Sequence, residues 1–194
     1  MADLAAVAAV EKACFPPAEA ATADEFRDRL AHYAAHFWLL FDEKGDLVSF
    51  VDGMVTDEPD LTDEMYAHAS LHNERGAWQM IFGVNTVPSC RRQGYAGTLL
   101  QAAIDAARQQ KRKGLVLTCK DKLVHYYASF GFVDEGVSDK SVHGGVVWHQ
   151  MRIRRRDIKR DYKQDVIDCI VIVVVAAVLA FLLGRFVILN CNVP

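Results

Sequence analysis

The 194-residue sequence predicts an α/β domain with a sheet of mixed strand direction, followed by a long apolar segment. Short runs rich in β-branched and aromatic residues alternate with stretches whose apolar residues repeat at helical spacing. One such run, Met80–Val84, leads through a glycine-containing turn into an amphipathic stretch that lasts to about Arg112. Near the C-terminus, residues 169–184 carry no charge and are mostly Val, Ile, Ala and Leu.

The first part of the chain predicts two helices, a strand pair, an acidic loop and a central strand. Their bounds are about 3–12 and 22–35 for the helices, 37–42 and 47–55 for the paired strands, 56–76 for the loop with a short helix near 63–70, and 77–86 for the central strand. Thr22 and Glu25 form a capping box that begins the second helix. Gly45 lies in the turn between the paired strands.

The rest of the domain predicts a long helix, a strand, a short helix and two closing strands. Apolar residues of the long helix fall on one face at helical spacing, and they are Ala96, Leu99, Leu100, Ala103, Ile104 and Ala107. Lys113 and Gly114 end that helix. The bounds of the remaining elements are 115–119, 121–130, 131–136 and 145–153.

Charge divides the chain into three parts. Residues 1–151 carry a net charge of −7, residues 152–164 one of +5, and residues 165–194 one of −1. An acidic domain argues against nucleic acid as a partner, because nucleic-acid binding depends on basic neutralisation of phosphates. We therefore expect a catalytic domain over 1–153, a basic linker over 154–164 and a hydrophobic segment over 165–190.

The hydrophobic segment predicts a transmembrane helix. Its 24-residue core, Val166–Leu189, exceeds the length of about 20 residues that a membrane-spanning helix needs. The basic linker before it places the domain in the cytoplasm by the positive-inside bias. A buried hydrophobic helix or a strand pair is the alternative interpretation. The start of the chain has no signal-peptide pattern, and the five cysteines lack the spacing of a zinc site or a disulfide framework, so we expect no metal.

The turn that opens the long helix predicts an anion site. It combines Arg91 and Arg92 with Gly94 and Gly97, and a helix N-terminus offers free N–H groups and a positive dipole end. Neither dinucleotide nor P-loop fingerprint is present. The spacing Arg-x-x-Gly-x-Ala, with Ala96 as its last member, resembles the pyrophosphate motif of the GNAT superfamily of N-acetyltransferases, which bind acetyl-coenzyme A.

The resemblance extends over about residues 3–153. Gly131 and Phe132 follow Tyr127 at the spacing of the GNAT pattern, and residues 142–151 resemble its turn and closing strand. Residues 14–21 resemble the loop between the first two helices of the arylalkylamine (serotonin) N-acetyltransferase branch. The resemblance implies the GNAT acyltransferase fold, a mostly antiparallel twisted sheet flanked by helices. The first GNAT strand is missing here, which would leave a sheet edge for another chain or indicate a start codon placed too late.

What the resemblance implies about function is acetyl transfer from acetyl-CoA, as co-substrate, to a primary amine of a small molecule by direct attack in a ternary complex. Tyr127 matches the general acid, although Tyr126 and Tyr127 also suit core positions of an amphipathic helix. The implied cofactor-binding residues are Phe82, Val84, Thr86, Arg91, Arg92, Gln93, Gly94, Tyr95, Ala96, Gly97 and Thr98. The alternative is a non-catalytic CoA-binding or membrane-scaffold protein with the same fold.

The general base is left open by the sequence. The histidines linked to proton removal in the animal serotonin enzymes align with Met80 and Phe82. Glu19, His143 and a water chain near Gln79 are the alternatives. The acidic run 57–64 would attract a cationic amine, or it is a solvated loop. Aromatic residues that would line an acceptor pocket, or belong to the core, are Phe15, Tyr66 and Trp78.

Overall fold

Residues 3–158, the range that the computed structural model describes, form two sheets flanked by helices. The α-helices in this range are α1 Leu4–Cys14, α2 Ala23–Tyr33, α3 Asp63–Ala67, α4 Tyr95–Gln109 and α5 Val124–Ala128. The strands are β1 Phe37–Phe41, β2 Leu47–Asp52, β3 Val55–Thr56, β4 Trp78–Ile81, β5 Gly83–Thr86, β6 Gly114–Cys119, β7 Val133–Val137 and β8 His149–Arg154.

The strands are arranged in the orders β1-β2-β5 and β3-β4-β6-β8-β7. Only β4 and β6 pair in parallel within residues 3–158, so the predicted mixed, mostly antiparallel arrangement is confirmed. The predicted single strand 77–86 is wrong, because it divides at Phe82. The Phe82 N–H donates to Asp52 O at 2.8 Å, which transfers the chain from β6 to β2. β5 and β6 therefore separate, and a gap opens between the sheets.

Helices cover both sides of the sheet that contains β5. On one side α4 buries its predicted apolar face against β1, β2, β5 and β6. On the other side α1 and α2 bury Val7, Val10 and Phe26 against Phe50 of β2. The capping box of α2 forms as predicted, with the Glu25 N–H donating to Thr22 Oγ1 at 3.2 Å. Together these helices hold β5 and the turn after it in place.

Several predicted boundaries differ from the structure, and three of the differences have a clear cause in the backbone. The strand predicted over 47–55 ends at Asp52, because Gly53 lies so close to β4 that a Cβ there would meet Met80 O at 1.8 Å. The long helix ends at Gln109 and not near Arg112, because Lys111 has a left-handed φ of 60°. The closing strand begins at His149, since the glycines before it form a turn with positive φ.

No strand precedes α1 among residues 3–158. Within that same range, no helix has both the length and the apolar character that a membrane crossing requires. The predicted transmembrane segment 165–190 lies outside the described residues, as does the basic linker from residue 159 onward.

Candidate active site

A cavity of about 560 Å³ lies where β5 and β6 separate. Its walls come from β5, the end of β6, the loop between α1 and α2, α5 and the turn before β8. At one end of β5, Arg91 Nε donates to Thr86 O at 3.2 Å. At the other end, the Tyr66 ring lies 4.7 Å from the Phe82 ring. These two ends are roughly 13 Å apart at the usual rise of a strand, so the cavity is elongated along β5.

The Arg91 end of the cavity adjoins a turn with free backbone N–H groups. The backbone N–H groups of residues 92–97 have no acceptor within residues 3–158. Gly94 is the N-cap of α4 and has φ +85°, a conformation that other residues adopt at a cost. Six adjacent N–H groups, the positive end of the helix dipole and an exposed Arg91 side chain all favour a negatively charged ligand.

The residues predicted to bind the cofactor fall into two groups in the structure. Those on the cavity wall are Phe82, Val84, Thr86, Arg91 and Ala96. Those in the turn and the first turn of α4 are Arg92, Gln93, Gly94, Tyr95, Gly97 and Thr98. Gly97 packs closely on α5, since a Cβ there would lie 3.2 Å from the Phe130 ring. The turn is thereby held against the element that carries Tyr127.

Tyr127 lines the cavity. The residue is 7% exposed, and its hydroxyl has no hydrogen-bond partner within residues 3–158. Burial, followed by the neighbouring Cys119, raises the pKa of Tyr127 above its ordinary value. The phenol is therefore protonated at neutral pH and available as a proton donor. Tyr126 also lines the cavity but is only half-buried.

The sequence interpretation missed a buried polar cluster on the α1 side of the cavity. Arg29 Nη1 donates to Asp52 Oδ2 at 3.1 Å, and both side chains are almost fully buried. Glu11 Oε1 accepts from the Ala21 N–H at 3.1 Å, and its Oε2 is buried without a partner in the described range. Burial, and then the nearby Asp52, raises the pKa of Glu11 to about 7. The sequence did contain a signal for the burial of Glu11, because Glu11 lies four residues after Val7 and therefore on the same face of helix α1.

Of the three base candidates from the sequence, two lie on the cavity wall and one does not. Glu19 and His143 line the cavity, whereas Gln79 is buried in β4 and donates to two backbone carbonyls. Glu19 is ion-paired, with Lys120 Nζ at 2.8 Å from its Oε1. His143 Nδ1 lies 3.0 Å from Asp63 Oδ1.

The acidic run does not border the cavity. Its three aspartates accept hydrogen bonds from the protein's own donors, as in the contact of Asp60 with Arg152 Nη2 at 2.7 Å. Among the predicted aromatics, Phe15 and Tyr66 line the cavity. Trp78 does not, and the Arg152 guanidinium lies over its ring. The run is therefore engaged mainly within the protein, and one of its members, Asp63, contacts His143 on the cavity wall.

One trio of potential metal ligands occurs within residues 3–158, formed by His36, His72 and Glu74 away from the cavity. The Val55 N–H donates to His72 Nδ1 at 3.1 Å, so His72 Nε2 carries the proton and donates to Glu74. Arg112 Nη2 also donates to Glu74, at 2.9 Å. The trio is thus a hydrogen-bonded network around a carboxylate, and no metal is indicated.

The split sheet and the elongated cavity define an α/β protein with a ligand-sized cavity between two sheets. The model of the Acetyltransferase (GNAT) family matches residues 4–132, and the chain belongs to that family. Members of this family are acyltransferases.

Several solved structures share the fold. GphF GNAT-like decarboxylase in complex with isobutyryl-CoA is 20% identical with a TM-score of 0.68, over 80% of this chain and 96% of that chain. The loading GNATL domain of CurA from Lyngbya majuscula is 16% identical with a TM-score of 0.68, over 80% and 94%. Naa20 from Chaetomium thermophilum, in complex with a bisubstrate analogue, is 18% identical with a TM-score of 0.59, over 82% and 89%.

Proposed function

We propose that this protein is an acetyl-CoA-dependent N-acetyltransferase that acetylates a primary amine of a small molecule. The amine attacks the thioester directly while both substrates are bound. The observation that carries the proposal is the cavity itself, whose wall includes both the turn with free backbone N–H groups and the buried, protonated Tyr127. A family neighbour with bound isobutyryl-CoA supports an acyl-CoA as the ligand of this cavity.

The chemistry follows the cavity from one end to the other. The free N–H groups after Arg91 suit the pyrophosphate of CoA. The unpaired edge of β5 facing the gap suits the pantetheine arm, which can hydrogen-bond to the backbone of Val84. Tyr127, on the wall of the same cavity, is the proposed acid, and its proton would neutralise the departing thiolate. The acceptor enters from the opposite end, near Tyr66.

The test follows free thiol release from acetyl-CoA with a panel of arylalkylamines, polyamines and amino-sugar antibiotics. We expect amine-dependent release for at least one class. Binding of acetyl-CoA, measured by calorimetry without an amine, separates the alternatives. Tight cofactor binding with no release for any amine would reject the enzyme and support the non-catalytic CoA-binding protein.

Tyr127→Phe tests the proton donor. We expect turnover to fall by about 10²-fold or more, with little change in the dissociation constant of acetyl-CoA, because only the hydroxyl is removed. Tyr126→Phe is the matched control, since it removes a neighbouring hydroxyl from the same helix, and it should cost much less. Equal rates for wild type and Tyr127→Phe would reject this assignment.

We also propose, from the sequence alone, that residues 165–190 anchor the domain to a membrane with the domain in the cytoplasm. Cells expressing residues 1–194 and residues 1–164 are fractionated and compared. The longer chain should sediment with membranes and the shorter one should not. Recovery of both in the soluble fraction would overturn the anchor.

A further inference from the structure

His143 is held at the acceptor end of the cavity by a carboxylate from a distant part of the chain. It lies in the turn before β8, and its Nδ1 is 3.0 Å from Asp63 Oδ1 at the start of α3. The Asp63 carboxylate also accepts from the Val142 N–H at 2.9 Å and from Ser141 Oγ at 3.1 Å. Although burial raises the pKa of Asp63, these hydrogen bonds outweigh it and hold that pKa below its ordinary value. Asp63 is therefore a carboxylate at neutral pH.

This contact determines the tautomer of His143. A carboxylate only accepts hydrogen bonds, and Ser141 uses its single proton on Asp63, so His143 Nδ1 must carry a proton. The lone pair of the neutral ring is then on Nε2. Nε2 has no hydrogen-bond partner within residues 3–158, and the side chain is 26% exposed. The ring therefore presents a free basic nitrogen on the cavity wall.

The ring orientation is fixed as well. The imidazole stacks on Trp148 at 4.6 Å and 21°, and it packs against Tyr66 at 4.6 Å. Trp148 Nε1 donates to the His143 carbonyl at 2.9 Å. Gly144, with φ +67°, lets the turn approach the loop between α1 and α2, since a Cβ there would meet Glu19 Cγ at 2.8 Å. A base held in this way needs little reorganisation when an amine arrives.

The other polar groups near the cavity are less suited to accept a proton from an amine. Glu19 is held in an ion pair with Lys120. Glu11 Oε2 is fully covered, although the residue borders the cavity. The charged and titratable groups that face His143 from neighbouring elements are Asp63 and Tyr66 on α3, Glu19 on the α1–α2 loop and Lys120 after β6.

We infer that His143 is the general base of the proposed transferase and that Asp63 is its positioning residue. The inference rests on the proposed function. His143 Nε2 takes a proton from the ammonium form of the substrate, which frees the lone pair of the nitrogen. The N–C bond forms as the carbonyl π bond opens, and that π bond re-forms as the C–S bond breaks. The departing thiolate takes the proton of Tyr127, the Tyr127 phenolate takes the second proton of the former amine nitrogen, and His143 releases its proton to water.

The experiment measures kcat/KM against pH for the full chain with the best amine of the panel. For His143→Ala we expect a loss of about 10²- to 10⁴-fold at neutral pH. The loss should shrink as the pH approaches the pKa of the amine, because free amine then forms in solution. Added imidazole should restore part of the rate. Asp63→Asn should lose roughly 10²-fold or more, because an amide favours the wrong tautomer.

His149→Gln is the matched control. His149 also pairs with an aspartate, with Nδ1 at 3.1 Å from Asp134 Oδ2, but it lies outside the cavity wall. Its pH profile should match that of wild type. Acetyl-CoA affinity and the melting temperature of each variant show that the fold is retained.

The outcomes are distinguishable. An active wild type whose profile is unchanged in His143→Ala overturns the base and leaves the proposed function standing. The same result together with a loss of rate in Glu11→Gln would assign the base to Glu11. A wild type that is inactive with every amine overturns both the function and the base.

Discussion

The wild-type protein should become less stable as the pH rises, because Glu11 ionises, and the Glu11→Gln variant should lack this decrease. The side chain is 6% exposed, and its pKa rises from an ordinary value of 4.5 to about 7 because of burial and then Asp52. Between those two values the folded state binds more protons at this site than the unfolded state. The free energy of unfolding therefore falls as the pH rises through that window.

The magnitude follows from the two pKa values. Between pH 5 and pH 8, ionisation of Glu11 lowers the free energy of unfolding of the wild type by about 2.5 kcal/mol. Glu11→Gln has no such ionisation and does not show this decrease. Gln keeps an oxygen that can accept the Ala21 N–H, which at present bonds Glu11 Oε1 at 3.1 Å. The variant removes the charge with little change of shape.

The assay is urea unfolding of both proteins at pH 5, 6, 7 and 8. In the difference between their unfolding free energies, the contributions of all other titrating groups cancel, because both proteins contain them. That difference should move by about 2.5 kcal/mol in favour of Glu11→Gln across the series. Glu43→Gln, at an exposed turn, is the control and should give a constant difference. A difference for Glu11→Gln that stays constant within about 0.5 kcal/mol would refute the reasoning.

Two further substitutions are paired with controls from the same chain. Arg29→Met leaves Asp52 buried without its partner and should cost roughly 3–5 kcal/mol in chemical unfolding, whereas Arg27→Met, at a surface pair, should cost at most about 1 kcal/mol. Equal losses of unfolding free energy in the two variants would show that the buried pair stabilises the fold no more than the surface pair does. Gly94 and Gly45 both have φ +85°, and a Cβ at either position would have no atom within 4 Å. Gly94→Ala and Gly45→Ala should therefore each lower the free energy of unfolding by about 1 kcal/mol, through backbone strain alone. Only Gly94→Ala should weaken acetyl-CoA binding in calorimetry, and equal affinities would argue against the anion site.

Much of the fold was predictable because its signals are local. The capping box of Thr22 and Glu25 depends on residues three apart, and it forms. The buried face of α4 follows from helical spacing. The division of the central strand at Phe82 was not predictable, since β4 and β5 read as one apolar run. Which neighbour each half pairs with depends on strands that are distant in sequence.

The site divides in the same way. The turn from Arg91 and the place of Tyr127 could be read from spacing, because the turn and α5 are each short continuous segments. The contact of Asp63 with His143 could not, since the two residues are 80 positions apart and each resembles an ordinary surface residue. Glu11 gave a partial signal on its helix face, but only the position of Asp52 explains its raised pKa.

The sequence by itself determined the family, the anion-binding turn and a tyrosine at the expected spacing, because these depend on backbone conformation and periodicity within short segments. Only the tertiary structure decided where the sheet opens and which polar groups meet in the opening. Those contacts depend on strand pairing and on burial, which change the protonation of a side chain through neighbours far away along the chain.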